Sequence, residues 1–204
     1  MIPGEETLAK LKEEIHINAV RLFCDGCTLF KHKSYSSANA LAILSLEELG
    51  KLEMVDHICD DISLNPEHDP QQFLDNLFSR RMFFSHTQKQ MWASDLDTNR
   101  LQRSNKGILD RDKQNSLYVG YSNLRIRSPR RMSSNKAYAQ LETSFNKIKK
   151  VGDLGFNGFY CQSDAESEKR AKKYHLIAEQ AFLALEKPTK RKPSSKLPRR
   201  QDTN

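Results

Sequence analysis

One segment limits the folds open to this 204-residue chain more than any other: Ser36-Ser-Ala-Asn-Ala-Leu-Ala-Ile-Leu-Ser-Leu-Glu-Glu-Leu-Gly-Lys51. Its apolar residues recur at helical spacing on nearly every side. Leu41, Leu44, Leu52 and Val55 line one stripe, and Ile43, Leu46 and Met54 line another. A helix that is apolar all round belongs in the interior. Yet Glu47, Glu48 and Lys51 fall within it, and Glu48 lies on the Leu41–Leu44–Leu52 stripe. Carboxylates inside a core are costly unless paired or protonated. The helix therefore needs partner groups from another element. Ala38, Ala40, Ala42 and Ser45 are small enough to let that element come close.

The rest of the chain supports an all-α fold, a bundle of four to five helices. Leu8, Leu11, Ile15, Ala19, Leu22, Phe23 and Phe30 give helical spacing over residues 7–32, and Lys31-His-Lys-Ser-Tyr35 makes the turn. The second helix runs from about Ser36 to Asp61. After the breaker cluster Asn65-Pro66-Glu-His-Asp-Pro70, a third helix starts near Asp69, with Phe73, Leu77 and Phe84 inward, and continues past Trp92 toward Leu101. Residues 102–135 are polar, basic and weakly periodic, and read as a long loop carrying a short extended run, Ser116-Leu-Tyr-Val-Gly-Tyr121. A fourth helix is expected over 133–150. The capping box Ser163-Asp-Ala-Glu166 opens a last one, ending near Glu186. Residues 1–186 thus form one helical domain, and the proline-rich basic segment 187–204 reads as a disordered tail. No apolar run approaches the ~20 residues that span a bilayer. The N-terminus lacks the basic and apolar regions of a signal peptide, so a cytoplasmic location without membrane association is expected.

The net charge of +7 is unevenly spread. Residues 1–99 carry a balance of −7, residues 100–150 of +10, residues 151–186 of −2, and residues 187–204 of +6. Concentrated basic blocks suit a polyanion such as RNA, and solvated surface is the plainer alternative. Arg80, Arg125, Arg127, Arg130 and Arg131 are the candidate RNA-backbone contacts.

Metal and thiol chemistry find little support. Cys24-Asp-Gly-Cys27 lacks the second pair of a structural zinc site and sits in a helical pattern, so it reads as two small residues one turn apart. Glu13-x-x-His16 has the spacing of a di-iron bundle motif but no second copy. His32, His57, His68 and His175 form no ligand spacing. No metal and no cofactor are expected. Arg80-Arg-Met-Phe-Phe-Ser-His86 is the candidate catalytic stretch. Near a helix start, Arg81 and His86 can converge on one phosphate, arginine as a fork of donors and histidine as a proton carrier. That pair suits metal-free RNA cleavage by the neighbouring 2′-hydroxyl. Lys89, three residues on, could add charge stabilisation. Glu47 and Lys51 are in the favourable order for an i,i+4 salt bridge. Glu48 would then be the carboxylate that turns to the third helix, either in an ion network that fixes helix register or to orient His86 or Arg81.

These residues resemble a known family. Ala38-Asn-Ala-Leu-Ala-Ile-Leu-Ser-Leu-Glu-Glu-Leu-Gly-Lys51 is similar to the A-x-x-L-A-x-x-x-x-E-E-L-G-K hallmark of the AbiV abortive-infection proteins, bacterial anti-phage members of the HEPN superfamily. Glu47, Glu48, Gly50 and Lys51 carry the motif's distinctive end. Ser85-His-Thr-Gln-Lys89 resembles the family's H-x-x-K, and Asp110-Arg-Asp-Lys-Gln-Asn-Ser-Leu-Tyr-Val-Gly-Tyr121 its R-x-x-x-L-Y-V-D-Y. The resemblance implies a HEPN-like helical domain that limits phage propagation by acting on RNA or translation. It also implies a homodimer in which each copy brings an R-x₄₋₆-H pair to a shared cleft, as in metal-independent ribonucleases of the superfamily. Arg81 and His86 fall on that pattern. Met82, where such nucleases often carry a polar residue, and Gly120, where the family usually has aspartate, depart from it. The alternative reading is a non-catalytic helical module that binds a phage or host protein, or nucleic acid, as a regulator.

Overall fold

Apolar residues three and four apart build a long helical hairpin at the start of the chain. The computed structural model describes residues 5–65, 72, 85–94, 98–117, 120–122, 125–127, 132–153 and 165–188. In it, α1 spans Glu5–Lys31 and α2 spans Tyr35–Leu64. The turn between them is a Schellman closure: Ser34 N–H donates to the Leu29 carbonyl and Lys33 N–H to the Phe30 carbonyl, both at 2.9 Å. Lys33 takes the left-handed conformation this closure requires, with φ of 60°. The Ser34 carbonyl then accepts from Ala38 N–H at 3.0 Å and opens α2.

The small residues of α2 bring two neighbours against it. Ala19 of α1 and Ala38, Ala40 and Ala42 of α2 are fully buried. Ser45 Oγ donates to the Ala19 carbonyl at 2.8 Å, and Ser144 Oγ donates to Ser45 Oγ at 2.8 Å. Ser144 belongs to α6, Ser134–Asp153, which packs on α2 and on α7, Ala165–Leu183. Phe145 of α6 stacks on Phe182 of α7 with ring centroids 4.5 Å apart, and Phe23 of α1 lies 6.0 Å from Phe145. This aromatic knot ties α1, α6 and α7 together. Ser163 of the expected capping box lies outside the described residues, as do Phe73, Leu77 and Phe84.

Between α2 and α6 the structure departs from expectation. The third helix is divided. Ser85 caps α3, His86–Trp92, by accepting from Gln88 N–H, and α3 stops at Ala93. Then come α4, Thr98–Asn105, and α5, Ile108–Leu117. Gly107 joins them with φ of 62°. A two-stranded antiparallel hairpin follows: β1, Gly120–Ser122, and β2, Arg125–Arg127, with Tyr121 opposite Ile126. Residues 102–135, expected as a loop with one extended run, therefore hold the second half of α4 and all of α5 as well as the extended element. The described residues form seven helices, and the fold is all-α.

The reason the expectation missed α5 is physical. Its buried positions are Leu109, Asp112, Lys113 and Ser116, which are spaced as a helix face but are mostly polar. A hydrophobic pattern cannot show a helix that buries charge. Charge partners hold it instead: Asp112 accepts from Lys136 Nζ at 2.9 Å and from Arg103 Nη2 at 3.3 Å, tying α5 to α6 and α4. None of the described helices is long and apolar enough to cross a membrane.

Candidate functional site

Glu47 sits midway along α2, with 2% of its side chain exposed. Three donors from two other helices meet its carboxylate. His86 Nδ1 lies 2.6 Å from Oε2, while Gln90 Nε2 and Lys113 Nζ each donate to Oε1 at 2.7 Å. His86 and Gln90 are one turn apart on α3, so one face of that short helix delivers both. Lys113 comes from α5, with a side chain only 4% exposed. Its ammonium also lies 3.0 Å from His86 Nδ1 and 3.2 Å from Asp110 Oδ1. A buried carboxylate is thus surrounded by a cation, an amide and an imidazole, as its burial demands.

The ring nitrogen Nδ1 of His86 faces both a carboxylate and an ammonium, and it can satisfy only one. An ammonium offers only donors and an ionised carboxylate only acceptors. The carboxylate contact is the shorter, and a lone pair held 2.6 Å from an anion would be repelled. Lys113 has Glu47 Oε1 as hydrogen-bond acceptor and Asp110 as a second ion-pair partner. Nδ1 therefore carries the hydrogen and donates to Glu47, a charge-assisted bond. That leaves Nε2 as the ring's reactive nitrogen. The imidazole is 48% exposed, so it borders both the core and solvent.

Backbone contact fixes α3 as firmly as charge does. A Cβ at Gly50 would overlap the Lys89 carbonyl oxygen and come within 2.7 Å of its carbon. Only glycine lets the two helices cross there. The Lys89 side chain is itself buried. Burial holds its ammonium below the usual lysine range, and Lys51 pushes it the same way, against the pull of Glu47 and Glu48. Among the described residues, Lys89 has no carboxylate in ion-pair contact.

Residues 7–149 match the family model of AbiV, a HEPN-type family. The chain belongs to the AbiV family. It is a HEPN-type abortive-infection protein with an all-α fold. No match was found among curated proteins or among solved structures.

In this AbiV protein, the roles expected of the two adjacent glutamates are exchanged. Glu47, expected to pair with Lys51, holds His86. Glu48, expected to orient His86, accepts from Lys51 Nζ at 2.5 Å. A step of one residue turns a side chain by about 100° on a helix, which decides between the core and its rim. His86 and Glu47 meet. Lys89 lies one turn from His86, near enough to Glu47 and Glu48 to feel both charges. Arg80, Arg81, Arg130 and Arg131 lie outside the described residues. Arg125 and Arg127 form the ends of β2.

Sequence reasoning missed Gln90, Asp110 and Lys113 as site residues. The third motif match, Asp110 to Tyr121, carried the signal. Counting back from Leu117, the motif's arginine falls at position 113, where this AbiV chain has lysine. The same cluster could hold a metal: ligating atoms of Glu47, His86 and Asp110 lie within 4.8 Å of one another. Its three members come from three helices, so no local spacing reveals it. The E-x-x-H pair goes elsewhere. Glu13 accepts from Arg170 Nε at 2.5 Å, and His16 is buried and held at about 4 by burial and by His175. Cys24 and Cys27 are free thiols, and burial pushes them up to about 11 and about 12, well away from reactive thiolates.

Proposed function

We propose that this AbiV protein cleaves RNA without a metal ion and thereby blocks translation or phage propagation. The observation that carries the reading is the His86 imidazole. It stands at the first turn of α3 with Nδ1 held by the buried Glu47 carboxylate and with Nε2 left for substrate. That is the arrangement a general acid or base needs. Arg81, five residues earlier, completes an R-x₄-H spacing and would clamp the phosphate bidentately. Lys89, a cation with no carboxylate in ion-pair contact among the described residues, would add charge stabilisation on the same side.

In the proposed reaction the 2′-oxygen forms a bond to the adjacent phosphorus and gives up its proton. The P–O5′ bond breaks, and the 5′-oxygen leaves with a proton from the imidazolium. The products are a 2′,3′-cyclic phosphate and a 5′-hydroxyl. A symmetric pair of copies would supply two imidazoles, one for each proton. Arg80, Arg125, Arg127, Arg130 and Arg131 would hold the RNA backbone electrostatically. A phage or host protein would provide the trigger.

The test is His86→Ala in the full chain, assayed for phage protection and for RNA cleavage, with circular dichroism to check the fold. Loss of both activities with the fold intact is expected, as are 2′,3′-cyclic phosphate ends in RNA from triggered wild-type cells. Undiminished protection by a folded His86→Ala chain would remove the nuclease and favour a protein-binding module.

A further inference from the structure

The Glu47–His86–Asp110 cluster has the composition of a three-ligand metal site, but a lysine sits in it. Lys113 Nζ lies 2.7 Å from Glu47 Oε1, 3.0 Å from His86 Nδ1 and 3.2 Å from Asp110 Oδ1. These are the same three ligating residues that come within 4.8 Å of one another. We propose that Lys113 is a positioning residue whose ammonium is the resident cation of this pocket, filling the place a divalent metal would take and fixing the Glu47 carboxylate against His86. The part that concerns catalysis rests on the ribonuclease reading above, whereas the placement of the cation does not.

Three observations support this. First, the ammonium is buried, and it lies against Glu47, His86 and Asp110, the members of the cluster. Second, the charges need it: two carboxylates, one of them 2% exposed, face a single imidazole. Without a cation the buried carboxylate would be strongly disfavoured. Third, ammonium and metal differ in a way the distances register. The 2.7 Å contact to Glu47 is an ammonium hydrogen bond, whereas zinc would draw the same oxygen to about 2.0–2.2 Å. Removing the lysine side chain leaves three ligands that need to close in by only about 1 Å each. With Lys113 present, Nδ1 keeps its hydrogen and Nε2 stays free, so a lysine here performs the orienting work that second-sphere groups do around metal-bound histidines.

The test uses the full chain and its Lys113→Ala variant, titrated with Co²⁺ and followed by visible absorption. Wild type should show no d–d band. Folded Lys113→Ala should gain one at 1:1 stoichiometry, lost in Lys113→Ala/His86→Ala and in Lys113→Ala/Glu47→Gln. If Lys113→Ala does not fold, Co²⁺ or Zn²⁺ should restore its helical circular dichroism. A wild-type chain that binds Co²⁺ through His86 overturns the proposal. So does a Lys113→Ala chain that neither binds nor is restored by either metal, or one whose binding survives loss of His86. Separately, with EDTA present, folded Lys113→Ala should lose about 10- to 100-fold in kcat for RNA cleavage with KM little changed. Unchanged kcat would refute the positioning role. If wild type cleaves no RNA, the ribonuclease reading fails while the Co²⁺ titration still decides where the cation belongs.

Discussion

Replacing each glutamate of the adjacent pair by glutamine separates their roles. Glu47 meets the Lys113 ammonium at 2.7 Å, with 2% and 4% of the two side chains exposed. At an effective dielectric constant of about 20, that attraction is about 6 kcal/mol before desolvation. Removing one partner of a buried pair typically costs about 3–5 kcal/mol, because the remaining charge is stranded. Lys113 keeps Asp110 at 3.2 Å, and a glutamine can still accept a hydrogen bond, so the low end, about 3 kcal/mol, is expected for Glu47→Gln. Glu48 and Lys51 form a rim pair with 14% and 21% exposure on one helix. Pairs near the surface contribute up to about 1 kcal/mol. Urea unfolding followed by circular dichroism reads both. With a slope of about 2 kcal/mol/M, Glu47→Gln should lower the midpoint by about 1.5 M and Glu48→Gln by no more than about 0.5 M. Equal shifts, or a larger one for Glu48→Gln, would refute the assignment of Glu47 as the buried partner of Lys113.

Lys33 holds a left-handed backbone that glycine adopts freely, so Lys33→Gly should raise stability by about 0.5–1 kcal/mol in the same assay. Gly50→Ala should destabilise by about 1–3 kcal/mol although alanine is the better helix former, because its Cβ overlaps the Lys89 carbonyl; an unchanged urea midpoint would show that α3 is free to shift. His16 is held at about 4 against an ordinary 6.5, so the folded chain binds this proton more weakly than the unfolded one. Its contribution is complete above pH 6.5 and drains as the pH falls toward 4, by about 3 kcal/mol. The stability difference between wild type and His16→Asn should shrink by that order between pH 7 and pH 4, and a constant difference would contradict the burial argument.

The helices legible in the sequence are those that bury carbon. Phe23, Leu46 and Leu141 recur at helical spacing because apolar surface drives their packing, and α1, α2, α6 and α7 lie close to where that spacing puts them. The site was half legible. The composition of α2 shows that an acid lies inside and must be met by cations from elsewhere. Which acid, and which cation, depends on the rotation of α2 against α3 and α5, a tertiary property. Lys113 sits 66 residues from Glu47, on a helix whose inward face is charged, so neither proximity nor hydropathy points to it. The motif resemblance pointed to the right stretch because a motif records spacing irrespective of hydropathy.

The Glu-Glu-Leu-Gly-Lys run of α2 then makes sense residue by residue. Glu47 reaches His86 and Gln90, the two ends of one turn of α3. Gly50, almost one turn further along α2, receives the carbonyl of Lys89 from the same turn. Two contacts one turn apart on each helix fix both the distance and the rotation of α3, which a single contact could not do. Leu49 between them is fully buried and supplies the apolar anchor, and Glu48 with Lys51 closes the rim. Neither contact is a strong stabiliser by itself: the buried ion pair repays its own desolvation, and a glycine inside a helix costs about 1 kcal/mol relative to alanine. Sequence features that contribute little stability yet fix the position of one exposed imidazole are those expected where placement of that ring, rather than strength of the fold, is what the motif secures.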